Sequence, residues 1–415
     1  MELGDKTGFV AALTTVIVAA SLLVAVFAGA LTRYETRPVQ LTDGPHQIVR
    51  TPGSVRLSDD RVLYSRAGWK TVTDNRSGLQ VQVRDNGTFV YDITDHREYK
   101  VASEVLNASI SGPLVVWLQG NKIMARNYIN NSESVLPLPT ARPLYRPQID
   151  GDRIVWTDLR NDPDIQDSDM IYDIYLYNLT LGQETRLTSA VNHSSKGPPS
   201  LWGDLVVWND NRDGPFRIYG FHFSNGTEAK MTNGTSNQYQ PRVSSRAIAW
   251  LDDKEAPDPV HMDLFYLDLG TGREVQASNT GHVESFDLWG DAIVWADTSR
   301  VEAPDNYGDI VLLNISRNST KVFYSSNWSQ YNPAVWGGRI VWVDDLRPGG
   351  EIFLMKKVSR PYLGMDLLTV LLLLLLIGVA SVALLAYKQT VKKEEEDMER
   401  YEKKSLRRKR GRGLK

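Results

Sequence analysis

One short pattern recurs along the middle of the chain and leaves few folds open to it. An aliphatic pair ending in an aromatic occurs as Val62-Leu63-Tyr64, Val115-Val116-Trp117, Ile154-Val155-Trp156, Val206-Val207-Trp208, Ile248-Ala249-Trp250, Ile293-Val294-Trp295 and Ile340-Val341-Trp342. Successive aromatics lie 53, 39, 52, 42, 45 and 47 residues apart, a mean of about 46. That is the length of one four-stranded propeller blade.

The rest of a blade surrounds each copy. Upstream stands a tight-turn element such as Gly151-Asp152, Gly203-Asp204, Gly290-Asp291 or Gly337-Gly338, where glycine supplies the positive φ of a short hairpin. Downstream comes an alternating segment, Asp173 to Tyr177, Arg217 to Phe221, Asp263 to Leu267 or Asp309 to Leu313, and then a polar strand such as Glu184 to Thr188. Polar residues suit an outer edge that faces water and resists strand addition. The last copy stops after its third strand, and His46 to Thr51 precede the first. The pattern therefore predicts an all-β fold, a seven-bladed β-propeller over residues 46–357, with 46–51 completing blade seven beside Glu351 to Lys357.

Two apolar segments flank this region. Residues 10–31 carry no charge over 22 positions and read as a signal-anchor or a cleaved signal peptide. Residues 367–387 read as a transmembrane helix, which gives the fold an N-terminal and a C-terminal flanking span. The remaining divisions are 1–9, linkers at 32–45 and 358–366, and a tail at 388–415. The chain's 47 Lys and Arg against 50 Asp and Glu hide a division, since the tail holds 12 basic and 6 acidic residues. A basic flank next to a span marks the cytoplasmic side, so the expected location is the plasma membrane with the propeller outside and the tail in the cytoplasm. Glu394 to Lys404 reads as a solvated helix.

Acceptor triplets for N-glycosylation begin at Asn75, Asn86, Asn107, Asn130, Asn178, Asn192, Asn225, Asn233, Asn314, Asn318 and Asn327, 11 of the chain's 21 asparagines. Chance gives about three. All lie in the region expected outside. The competing explanation is that Asn, Ser, Thr and Gly are turn residues of a β-rich chain. The chain has no cysteine, which excludes a disulfide scaffold and thiolate-held metals, and in an exported domain fits an archaeal surface protein.

The stretch Pro147 to Arg160, with Gly151-Asp152-Arg153-Ile154-Val155-Trp156 at its centre, followed by Asp173 to Leu179, resembles the propeller repeats of the TolB type, also called WD-like repeats. The resemblance covers about residues 46–357. It implies a platform for protein contacts in a cell envelope or an appendage to a hydrolase domain, and only the platform finds room in this chain.

Candidate chemistry is sparse. Acids recur two residues after the blade aromatic, at Asp158, Asp210, Asp252, Asp297 and Asp344, with Arg160, Arg212 and Arg347 nearby. Repetition in blade after blade points to turn capping or bracing. The loop 158–173 crowds in Asp162, Asp164, Asp167 and Asp169, a weak candidate for Ca²⁺ against a plain solvated loop. His46, His96, His193, His222, His261 and His282 show no metal-ligand spacing. The tryptophans Trp117, Trp156, Trp202, Trp208, Trp250, Trp289, Trp295, Trp336 and Trp342 read as between-sheet packing rather than carbohydrate stacking, and Trp328 as exposed. No nucleophile elbow, phosphate loop or zinc-protease motif occurs. The expected function is binding without chemistry, to a protein or a surface glycan and not to nucleic acid. The alternatives are a polysaccharide lyase or hydrolase working in the channel, and a structural part of an envelope complex.

Overall fold

The computed structural model describes residues 32–412 apart from 36, 44–45, 50–52, 74–77, 105–106, 139–140, 144, 146, 163–170, 189–193, 255–261, 300–307, 347–348 and 360–366. It divides into two compact units, Thr36–Lys356 and, separately, Met1–Glu35 with Lys357–Lys415.

The larger unit is a β-propeller. Around Trp156, the strands Gln148–Asp150, Arg153–Asp158, Asp173–Asn178 and Gln183–Arg186 lie in chain order, each antiparallel to the next. The same four-strand order builds the sheets around Trp117, Trp208, Trp250 and Trp295. The hairpins joining first and second strands turn on Gly151, Gly203 and Gly290, at φ of 58°, 53° and 52°. Glycine adopts these angles without the steric cost of a Cβ.

Second strands carry continuous apolar runs because both their faces are covered. Arg153–Asp158, Leu205–Asp210 and Ala247–Asp252 are buried almost throughout, whereas the outer strand Gln183–Arg186 is exposed. Each blade aromatic packs against the sheet before it. Val155, Ile174 and Leu187 meet Val206, Trp208 and Tyr219, and Leu205, Val207 and Ile218 meet Val243, Ile248 and Trp250. Trp156, Trp208, Trp250 and Trp342 are completely buried. Removing such a ring costs about 3–5 kcal/mol, so the recurring aromatic is the main fixture between neighbouring sheets.

The expected seven four-stranded blades and their closure need correction. Within this unit the described residues form six four-stranded sheets. The sheet around Tyr64 is different, with six strands. Its second strand, Arg61–Thr73, is 13 residues long where its counterparts have 6. The extra length pairs with Gln80–Arg84 to form a hairpin of its own, and Arg66 to Gly68 take His46–Ile48 as a partner. Residues 46–48 are therefore not the closing strand. Closure uses Val39–Gln40, paired with Leu354 and Phe353, and the Thr42 hydroxyl donates to Glu351 Oε2 at 2.6 Å while accepting from the Ile352 N–H at 2.9 Å. The short segment 39–42 falls within the expected linker 32–45, and what makes it a strand is the free edge offered by Phe353 and Leu354.

In the smaller unit, Thr32–Tyr34 pairs with Lys357 to Ser359, and Leu367–Arg412 is one helix of 46 residues. The apolar run 367–387 is thus the first half of a helix that continues without a break through Lys388 and the acids from Glu394 to Asp397. No helix among the described residues is long and apolar enough to cross a membrane. The expected flanking transmembrane helices, the integral membrane attachment, the plasma-membrane location and the cytoplasmic tail are corrected on that finding. Residues 10–31, expected as a signal-anchor or signal peptide, lie outside the described residues. The stretch 394–404 is helical and exposed, with Lys403 Nζ 3.2 Å from Glu399 Oε2 one turn earlier.

Candidate functional site: the axial channel

Two sets of polar residues recur from sheet to sheet, and only one of them is wholly committed to bonds within its own sheet. The acids two residues after the aromatic form the committed set. Trp156 Nε1 donates to Asp158 Oδ2 at 2.8 Å, and the same bond joins Trp208 to Asp210 and Trp250 to Asp252 at 3.3 and 3.1 Å. The other oxygen accepts the backbone N–H two residues on, at 2.8 Å from Arg160, 2.9 Å from Arg212 and 2.9 Å from Lys254. These are turn caps.

A guanidinium completes the device. Arg160 Nη2 bonds Asp158 Oδ2 at 2.8 Å and Glu184 Oε1 at 2.6 Å, with its plane 4.0 Å from the Tyr175 ring centre. Arg212 bridges Asp210 and Glu228 over Tyr219 in the same way. Because Glu184 and Glu228 sit on fourth strands, each arginine straps an outer strand to a second strand. In the Tyr64 sheet the strap is built differently: Arg66 itself occupies the position two residues after the aromatic, where the other sheets have the acid, bonds Asp85 at 2.7 Å and Glu98 at 2.6 Å, and lies 3.9 Å over Phe89. Burial alone raises a carboxyl pKa, but at Asp158 the bonds from Arg160 and Trp156 outweigh it and hold the group below its usual range. Asp210 is held low by Arg212 and Lys196 against the same burial. Among the described residues Asp344 receives Gln330, Ser326 and a backbone N–H and no guanidinium, so burial wins and its pKa is raised.

The second set lines the channel. Eight residues before each aromatic stands one position on each innermost strand: Arg56, Ser109, Gln148, Ser200, Arg242 and Asp287, with Ala334 in the last sheet. Their ladder partners are Leu63, Val116, Val155, Val207, Ala249 and Val294, the equivalent residue of every second strand, so these side chains share one level. They line a cavity of about 90 Å³, room for about three waters.

Half of this ring braces its neighbour. Ser109 Oγ accepts the Ile149 N–H at 3.3 Å, Ser200 Oγ the Val243 N–H at 3.2 Å, and Asp287 Oδ2 the Val335 N–H at 3.0 Å. Arg56, Gln148 and Arg242 make no such bond among the described residues. Arg56 is 9% exposed, and its Nε and Nη2 have no hydrogen-bond partner among the described residues. Burial pulls the Arg242 guanidinium below its usual pKa, with Asp287 acting in the other direction. Gly53, at φ 69°, passes beside both: a Cβ there would stand 2.9 Å from Arg56 Nη2 and 3.1 Å from Arg242 Nη2. The two cationic tips are therefore within about 6 Å of each other, where like charges repel by about 3 kcal/mol at an effective dielectric of about 20. Gly53 is held there by its N–H to Asn332 Oδ1 at 2.9 Å.

Two residues further along, the strands present Trp202, Trp289 and Trp336. Their rings meet at centroid distances of 5.3, 5.9 and 6.4 Å. They fill the channel at the end of the first-to-second-strand hairpins. Grouping them with the between-sheet tryptophans is thus corrected, because an offset of six residues from the blade aromatic puts them on the channel side. Trp328 is 45% exposed, as its position suggested.

The remaining expected sites scatter. Asp162 is buried and its Oδ2 accepts the Ile171 N–H, while Asp164, Asp167 and Asp169 lie outside the described residues. No group of three metal-binding side chains occurs among the described residues. His96 sits in a turn, His222 3.6 Å from Asp204, and His193 and His261 are outside the described residues. Asn107, Asn130, Asn225, Asn233, Asn318 and Asn327 are exposed, Asn86, Asn178 and Asn314 partly so, and Asn75 and Asn192 are outside the described residues. Asn178 and Asn314 cap turns through Leu181 and Arg317 N–H groups at 2.8 and 2.9 Å.

No family model and no curated protein sequence matches the chain. Among solved structures, an oligogalacturonate lyase from Vibrio parahaemolyticus is similar at a TM-score of 0.55 and 9% identity, over 80% of this chain and 97% of that one. The β-propeller domain of the Trilobed protease from Pyrococcus furiosus gives 0.51 and 13%, over 78% and 98%, and an acylaminoacyl peptidase from Pyrococcus horikoshii 0.51 and 12%, over 78% and 54%. TolB from Acinetobacter baumannii is also a neighbour, at 0.37 and 13%, over 72% and 80%. The likenesses to the lyase, the protease domain and the peptidase show the propeller fold. They lend the expected archaeal origin no support.

Proposed function

We propose that the propeller is a recognition module that takes the polar end of a ligand into its channel and makes or breaks no covalent bond. The observation that carries this reading is the division of one ring level into residues that brace the sheets and residues that do not. Ser109, Ser200 and Asp287 hold the neighbouring strand, whereas Arg56, Gln148 and Arg242 face the cavity without that employment. A buried polar group without a partner costs about 1–3 kcal/mol, more when charged. A ligand that supplies the partner removes the cost.

The competing reading is catalysis in the channel by a lyase or hydrolase. It needs a proton-transfer set there, and the lining contributes one carboxylate, Asp287, with an oxygen already engaged by Val335. A thermal-shift screen of neutral, cationic and anionic small compounds against the full chain and the channel-filling variant Gln148→Phe tests the reading. Compounds that raise the melting temperature of the wild type only, and are recovered unchanged in mass, support it. Equal shifts in both proteins, or conversion of a compound to a new mass, overturn it. Glycan attachment at the exposed acceptor asparagines and calcium at the loop 158–173 are subsidiary proposals, tested by intact-mass measurement and by melting with a chelator.

A further inference from the structure

We infer that the outer edge of Gln80–Arg84 pairs with the same strand of a second copy of this chain, antiparallel and centred on Gln82. The inference goes beyond the recognition reading and leaves the channel aside. Arg61 to Arg66 belong to their sheet through Gly87–Asp92, but the strand runs on to Thr73 and there has Gln80–Arg84 as its partner. A two-stranded hairpin is marginal in water by itself, so a third strand stabilises it. Among the described residues no strand pairs with the far side of Gln80–Arg84. That side is open to solvent, with Val81 38% exposed and Val83 half-buried, and Trp69 on the neighbouring strand 52% exposed. The outer strands of other sheets carry an internal charge that resists strand addition, such as Glu184, Glu228 or Lys321, whereas Gln80–Arg84 has none before its last residue.

The hydrogen-bond pattern fixes which groups point outward. The Asp85 N–H donates to the Gly68 carbonyl at 2.9 Å. Alternation along an antiparallel ladder then turns the N–H and C=O of Val81 and Val83 toward Arg61–Thr73, and those of Gln80, Gln82 and Arg84 away from it. A two-fold axis at Gln82 sets Gln80 opposite Arg84 of the second copy and Gln82 opposite itself, so outward groups meet outward groups. Val81 then stands opposite Val83 of the second copy at the closer, non-hydrogen-bonded spacing of about 4.5 Å. With Val72, the ladder partner of Val81, this makes one apolar face across both copies. No charge faces a like charge in this register. On the other face Gln82 Nε2 bonds Thr71 Oγ1 at 2.7 Å and Gln80 Nε2 bonds Thr73 Oγ1 at 3.0 Å, which draws these side chains back over their own strand pair. The opposite edge, Trp69 to Thr73, is bounded at Gly68 by His46–Ile48.

A five-residue strand from each copy makes an interface below the about 1,200 Å² of a strong complex, so association depends on concentration. Sedimentation velocity of the full chain across the micromolar range should show a reversible monomer–dimer equilibrium. Residue-resolved amide exchange should slow with concentration at Gln82 and Arg84 but not at Val83, whose N–H is already bonded within its own copy. Gln82→Lys and Gln82→Glu should each weaken association about tenfold, because like charges then meet across the axis. An equimolar mixture of the two should restore it. Gln82→Ala, which gives up only the bond to Thr71, should associate as the wild type does. Residue 82 is exposed, so all three variants keep the fold. A chain that stays monomeric over that range, charged variants that associate like the wild type, or a mixture no stronger than its components overturns the inference. So does a dimer in which exchange at Gln82 is indifferent to concentration, since the contact then lies on another surface.

Discussion

Trp156 donates its indole N–H to Asp158 at 2.8 Å, and that carboxylate in turn holds Arg160 against Glu184 on the outermost strand of the same sheet. One chain of bonds thus runs from the middle of the core to the edge. Asp158 is completely buried, so Asp158→Asn leaves Arg160 short of a charge and weakens two charge-assisted bonds. The expected loss is about 2–4 kcal/mol in urea unfolding. Asp252→Asn, whose carboxylate caps a turn without an arginine strap, should lose less. Equal losses would mean that the strap contributes nothing.

Acid dependence separates Asp158 and Asp210 from Asp344. The first two have folded pKa values below their unfolded ones, so their stabilising contribution is present above the ordinary carboxylate range near 4 and is lost as pH falls through the lowered values. Asp344 has the opposite sign. Its folded pKa is raised, so its contribution is present below that range and is lost as pH climbs through the raised value. Unfolding free energies from pH 3 to 8 should therefore show Asp158→Asn removing part of the acid-side fall, and Asp344→Asn gaining relative stability at neutral pH. A loss of neutral stability in Asp344→Asn would contradict the assignment.

The two classes of tryptophan differ in cost. Trp208 is completely buried between two sheets, and Trp208→Ala should lose about 3–5 kcal/mol. Trp336 shares the hairpin end of the channel with Trp202 and Trp289 and is only partly buried. Trp336→Ala should lose less than half as much.

Thr42 carries the closure. Thr42→Val keeps the volume and removes both the donor to Glu351 and the acceptor for Ile352. The expected effect is a loss of about 1–3 kcal/mol, with faster unfolding, because the segment 39–42 joins sequence positions more than 300 residues apart. An unchanged unfolding rate would show that closure forms elsewhere.

The repeat was legible because it is an energetic necessity: every sheet needs a flat aromatic against its neighbour, and every second strand needs a capped turn. Tyr64 and Trp342 mark the two sheets whose strands the repeat alone does not determine. At Tyr64 the pattern shows the aromatic but not that its strand continues to Thr73, and at Trp342 the closing strand Val39–Gln40 is two residues long, too short for any periodicity. A strand that forms because an edge awaits it leaves little trace in its own composition. The channel was hidden for the opposite reason. Arg56, Ser109, Gln148, Ser200, Arg242 and Asp287 occupy one structural position with four different residue types, so no motif joins them. The constant offset of eight from the aromatic was the available signal.

The division of that ring is the claim on which the functional reading stands, and the unfolding free energies of Arg56→Met and Asp287→Asn, measured without added ligand, test it most directly. Asp287→Asn should lose about 1–3 kcal/mol, because Asp287 Oδ2 braces the Val335 N–H. Arg56→Met, which removes two buried nitrogens that have no partner among the described residues and puts an apolar chain in their place, should match or exceed the wild type. An Arg56→Met protein that falls as far as Asp287→Asn would make Arg56 one more brace and leave the channel without its ligand-facing set.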